Sequence, residues 1–242
     1  MKELWKSIAS RIMLIFALAI ILTIVVSIMG SNTTNKSLSL IYGLSMMVGF
    51  IWYCLNLSKF ADIQTNEENR SSVNTVLVGN ILLVVGSIIA TFVASFFLAT
   101  LIRINASAKA EITAIAIVPI LIISLPTYLA YRKMEKGYRE LSQSQTFSPK
   151  CQNGFKKLRQ SATLKKLIVL TYFALSCICI YLLMNVSSDT GLLNTIDKIT
   201  GILAIAGLAI FILGIVALVK WFIGWGIVKN NGPEETEEET TY

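Results

Sequence analysis

The 242-residue chain has no histidine, four cysteines, four prolines and few charges, with 14% Asp, Glu, Lys or Arg. Soluble domains carry about a quarter charged residues, so the deficit excludes an ordinary water-soluble domain. The missing histidine removes the commonest metal ligand and the commonest acid/base group at neutral pH. No Gly-rich phosphate loop, nucleophile elbow or nucleotide fingerprint occurs. An enzyme is therefore not expected, and neither is a cofactor or a bound metal.

What fills the chain instead is apolar, with 55% hydrophobic residues and a mean hydropathy of +0.68. Six windows contain no Asp, Glu, Lys or Arg: Ile12–Asn35, Ser37–Ser58, Ser71–Ile102, Ile112–Tyr131, Leu167–Ser188 and Ile199–Val219. Each holds 20 residues or more. At about 1.5 Å per residue, a helix of that length crosses a hydrocarbon core of about 30 Å. Buried in lipid, such a segment satisfies its backbone groups only as a helix, and the strict alternation of a membrane barrel is absent. The expected fold is all-α and polytopic, with spans at about 12–30, 38–57, 75–101, 112–131, 167–187 and 199–219. These form three hairpins within a domain of residues 1–229. Lys2, Lys6 and Arg11 before the first window imitate a signal peptide. Its apolar stretch Ile12–Met29 is longer than a usual signal core, however, and no small-residue cleavage site follows. The first helix is read as retained.

The net charge of +7 is one-sided. With the N-terminus inside, 17 of the 21 basic residues fall on inner segments; Lys36, Arg103, Lys109 and Lys198 are the other four. The positive-inside rule then places both termini in the cytoplasm. The expected location is the cytoplasmic membrane of a bacterium. Nucleic acid is not an expected partner, because the basic residues adjoin spans rather than forming a separate aromatic-bearing domain.

The inner loop 132–166 carries ten of the basic residues. Arg132 to Arg139 read as a continuation of the fourth helix, and Ser148-Pro149 as a break. Phe155, Leu158 and Ala162 then recur at helical spacing beside Lys156, Lys157 and Arg159, which suits a short amphipathic helix on the membrane surface. With Lys165 and Lys166, these cations form a candidate docking face for anionic lipid headgroups or a protein partner. Residues 230–242 change composition abruptly: Asn-Asn-Gly-Pro precedes Glu234, Glu235, Glu237, Glu238 and Glu239. So acidic a segment is expected to be a disordered tail.

Within the spans no Asp, Glu, Lys, Arg or His remains, which argues against proton relays and ion-coupled transport. The polar features left are small. In the third span Ser87, Thr91 and Ser95 form one row beside Gly86, Ala90 and Ala94. In the sixth, Gly207 and Gly214 align above Gly201 and Ala204. Both rows read as helix-packing faces; a solute path along Asn80, Ser87, Thr91 and Ser95 is the alternative. Pro119 and Pro126 share a face of the fourth span and would kink it, freeing carbonyls. Cys54, Cys177 and Cys179 read as small buried hydrophobes. Aromatic groups at 50–53, 128–131 and 221–225 read as an interfacial belt rather than as a threefold repeat. Two functions stay open: a non-catalytic interaction or assembly component binding another membrane or cytoplasmic protein, and a small-solute channel or the membrane subunit of a separately energised transporter. A reporter fused after Tyr242 is expected to be active only on the cytoplasmic side; activity from outside would invert the topology.

Overall fold

A computed structural model of the chain describes residues 2–30, 36–103, 118–184 and 189–232. All secondary structure among them is helical: α1 Lys2–Gly30, α2 Lys36–Asp62, α3 Glu67–Arg103, α4 Val118–Gln143, α5 Pro149–Met184 and α6 Asp189–Asn230. Five of these, all but α4, are long and apolar enough to cross a membrane. The fourth window, 112–131, lies partly outside the described residues, and residues 31–35, 104–117, 185–188 and 233–242 lie wholly outside them.

The helices run well past the apolar windows, for identifiable local reasons. Asn66 caps α3, its side-chain oxygen accepting from the Glu68 amide at 2.7 Å. Glu67 and Glu68 then complement the helix N-terminus. Ser148-Pro149 does not merely break the chain; it starts α5. The Ser148 hydroxyl accepts from the Cys151 amide at 3.3 Å, and proline occupies the first turn, where its missing N–H costs nothing. The expected short surface helix is thus the front of a 36-residue helix. Its apolar face does not meet lipid either. Phe155, Leu158 and Ala162 are all buried within the protein, because other helices of the same chain offer them a better-matched apolar surface.

The chain divides into two compact units. The first takes in Met1–Leu77, Lys136–Arg159 and Lys220–Tyr242. Its core is aromatic. Trp5, Ile8, Ala9, Ile12 and Ile15 fall on one face of α1 at helical spacing, and all are buried. The Trp5 ring meets Phe60 at 4.5 Å and Phe147 at 5.9 Å between centroids. Phe60 meets Trp225 at 5.5 Å, and Phe147 meets Phe155 at 5.1 Å. Trp221 and Trp225 therefore belong to a core rather than to an interfacial belt. The Trp5 indole N–H donates to the Val228 carbonyl at 2.6 Å. Val228 lies in the last turn of α6, where carbonyls lose their helical donors, so Trp5 caps that end. The connection 144–148 is fixed to α3 by Asn69 Nδ2 donating to Thr146 Oγ1 at 2.6 Å. Beside it, Ser72 Oγ donates to Glu140 Oε2 at 2.8 Å.

The second unit, Val78–Glu135 with Gln160–Val219, buries mostly small side chains: Ala90, Ser124, Ala130, Ser161, Ala162, Ser176, Cys179 and Ala217. Large apolar groups such as Phe92 and Ile205 lie exposed instead, at 74% and 76%. Apolar surface on this scale is what a lipid-facing helix presents. Of the cysteines, Cys179 is buried as expected, whereas Cys177 is exposed and Cys54 half-buried.

Backbones approach closely where glycine allows it. In the first unit a Cβ at Gly154 would lie 3.0 Å from the Gly224 carbonyl oxygen, and one at Gly224 would lie 2.9 Å from that of Gly154. Gly226, two residues on, faces open space among the described residues. Gly224→Ala should therefore lower stability by about 1–3 kcal/mol through overpacking. Gly226→Ala should be neutral or stabilising by up to about 1 kcal/mol through helix propensity. Thermal unfolding in detergent checks the contrast, and equal effects would refute it.

Candidate functional site

The residues proposed as a path or packing face on α3 separate into different roles. Ser87 Oγ donates to its own helix at the Leu83 carbonyl, at 2.5 Å. Thr91 Oγ1 donates likewise to the Ser87 carbonyl at 2.8 Å. Such back-bonding satisfies a hydroxyl without a partner helix or a solute. Ala90 is buried, Thr91 and Ser95 are exposed, and Asn80 is half-buried within a polar contact. The side chain of Ala94 lies outside the described residues.

Gly86 and Pro126, drawn from two separate sequence arguments, meet each other. A Cβ at Gly86 would lie 2.6 Å from the Pro126 Cβ, so the absent side chain is the space that the proline ring occupies. Earlier on the same helix, a Cβ at Gly79 would lie 2.9 Å from the Ala130 carbonyl oxygen. The two glycines make α3 fit α4 along one seam. Pro126 is interior to α4 and leaves the Ile122 carbonyl without its helical donor. Pro119 lies at the edge of the described residues, next to the undescribed 104–117, and its side chain is outside them.

On α6, Gly201, Gly207 and Gly214 have no atom of the described residues within 4 Å of where a side chain would begin. The hydroxyl that does join helices is one the sequence did not single out: Ser161 Oγ donates to the Ala217 carbonyl at 2.7 Å. A serine among lysines gives no periodic signal by which to find it.

The basic set also divides. Lys156 is exposed, with Lys157 and Arg159 half-buried, and all three belong to the first unit. Lys165 and Lys166 belong to the second. The Lys166 ammonium forms an ion pair with the Glu135 carboxylate, which is 7% exposed. Lys165 Nζ stands 6.0 Å from the centroid of the Tyr131 ring, a cation–π contact at the limit of its range. Glu135 was legible only as one acid among bases; its role as the buried counter-ion needed the pairing of α4 with α5.

One further feature escaped the sequence. An open groove of about 550 Å³ in the first unit is lined by Glu67, Glu68, Asn69, Ser72, Glu140 and Gln143 among others. Its carboxylates come from the first turn of α3 and the last turns of α4. Elsewhere on α4, burial pushes the Tyr138 hydroxyl well above its ordinary pKa, so it stays protonated at physiological pH. Among the described residues, no group of three or more His, Cys, Asp or Glu could hold a metal ion. No protein family, curated protein or solved structure matches this chain.

The Glu135–Lys166 pair yields a stability test. Removing one member breaks a largely buried ion pair, which costs about 3 kcal/mol. Glu135→Leu and Lys166→Met should each destabilise strongly, and the double variant less than their sum. Additive effects in a double-mutant cycle of detergent thermal shifts would show the pair to be uncoupled.

Proposed function

We propose that this chain is an integral membrane protein of a bacterial cytoplasmic membrane, with six spans in three hairpins and both termini inside. We further propose that it acts without catalysis, as a membrane-embedded interaction or assembly component that binds another protein. The observation carrying this reading is the seam between α3 and α4. There the Pro126 ring fills the space at Gly86, while Ser87 and Thr91 turn their hydroxyls back onto their own helix. Groups that would line a solute path are engaged in holding or satisfying helices. The row Gly201, Gly207 and Gly214 on α6, open among the described residues, supports the assembly reading, because small residues let a further helix approach closely.

The test compares capture with passage. After mild-detergent purification from native membranes, a second protein should accompany the chain in fixed stoichiometry. Liposomes containing the purified chain should be no leakier to glycerol, urea or potassium than empty ones. Flux above that background, reduced by Ser87→Leu, would replace this reading with the channel alternative.

A further inference from the structure

Two segments far apart in the sequence change from apolar to basic at one place. The uncharged window that ends at Tyr131 is followed at once by Arg132 and Lys133, and the one that begins at Leu167 is preceded at once by Lys165 and Lys166. The fold brings these two changes together. Lys166 pairs with Glu135, and Lys165 reaches the ring of Tyr131. Lys165 and Lys166 of α5 thus lie against the same stretch of α4 that carries the exposed Arg132 and Lys133.

Topology alone asks only that positive charge lie on one side of the bilayer; exposed lysines anywhere in the loop would serve. This cluster has more structure than that. Lys165 is half-buried, its ammonium beside an aromatic ring, while Arg132 and Lys133 are exposed on the neighbouring helix. The apolar side of the cluster is equally specific. Leu125 and Leu129 are exposed one and two turns before Arg132 and Lys133 on α4, and Leu167 and Leu170 are exposed directly after Lys166 on α5. Cations at a headgroup level above exposed leucines match a ligand that carries a phosphate at one end and acyl chains at the other.

We propose that this end of the α4–α5 pair is a binding site for an anionic phospholipid of the inner leaflet. Its phosphate lies among Arg132, Lys133 and Lys165, and its chains run along the four leucines. Glu135 holds Lys166, and so fixes α5 against α4 at the site. The inference rests on the reading of the chain as a bilayer-spanning protein with its basic side inside, and it is independent of whether the chain binds a protein partner or conducts a solute.

The experiment uses the full chain, delipidated in detergent and titrated with phosphatidylglycerol or phosphatidylcholine of the same acyl length, with bound lipid counted by native mass spectrometry. Phosphatidylglycerol should bind at least about tenfold more tightly. About 1 kcal/mol per basic side chain corresponds to about a fivefold loss for Arg132→Gln or Lys165→Gln, and the two together to about thirtyfold. Lys156→Gln with Lys157→Gln, farther from the apolar window on the same helix, should change nothing. Should Lys165→Gln unfold, Arg132→Gln with Lys133→Gln carries the test, since both side chains are exposed. Equal affinity for the two lipids, or an equal loss in the Lys156/Lys157 variant, would overturn the site. Displacement of the lipid by millimolar inorganic phosphate would make it a free-anion site instead. Binding is read in detergent, so an error in membrane orientation would leave it unaltered and appear only in the Tyr242 reporter.

Discussion

Where two of these helices lie deepest against each other, one of them has given up its side chain. At Gly154 and Gly224 both have done so, and each backbone carbonyl oxygen stands only 2.9–3.0 Å from where the other's Cβ would be. At Gly86 the missing side chain is replaced by the ring of Pro126, and at Gly79 by the backbone of Ala130 and the stem of Met134. Apolar helices in lipid gain little from hiding apolar surface, because the surrounding chains are as apolar as leucine. Association then depends on close packing and on the weak attractions it permits. Each of these glycines sets the separation of a helix pair, and so decides which other side chains can touch.

Large side chains take over in the first unit. Trp5, Phe60, Phe147, Phe155, Trp221 and Trp225 are buried there, whereas the second unit buries chiefly alanine, serine, cysteine and glycine. The difference follows the sequence pattern. Residues 136–159 of the first unit lie in the basic loop, where water is available and burying an aromatic ring is strongly favourable. All six of those rings lie outside the uncharged windows, whereas the second unit draws most of its residues from four of the windows, where large side chains can remain on an apolar exterior. Trp5 combines both needs, with an apolar body in the aromatic core and an N–H that caps the last turn of α6.

Much of this was legible in the sequence, and the limits have physical causes. Uncharged runs identified helices long enough to cross a bilayer, since length and the absence of charge are properties of a segment by itself. The extension of α4 through Arg132 and beyond was readable for the same reason. What failed was the environment of a face. Phe155, Leu158 and Ala162 have the spacing of a helix lying on a membrane, and a helix packed on protein has that spacing too; only the presence of partner helices decides between them. Likewise Gly86 and Pro126 each stood out on separate grounds, yet nothing in the order of residues says that one fits the other. Ser161 could not be found at all, because a lone hydroxyl acquires meaning from the carbonyl opposite it. Gly207 and Gly214 show the reverse limit: a small-residue row is visible in the sequence, and among the described residues no helix of the same chain fills it.

The position of the Glu135–Lys166 pair connects these themes. An ion pair of this kind is expensive to desolvate, and deeper in a span its cost would rise steeply. Both charges lie just outside the uncharged windows that end at Tyr131 and begin at Leu167, while still joining α4 to α5. Inside the windows, hydroxyls such as those of Ser87 and Thr91 are satisfied within their own helix. A transporter coupled to protons or ions needs titratable or coordinating groups at that depth. In the uncharged windows of this chain, the described helix contacts fall instead to glycine, alanine, serine and one proline, as at Gly86 and Pro126.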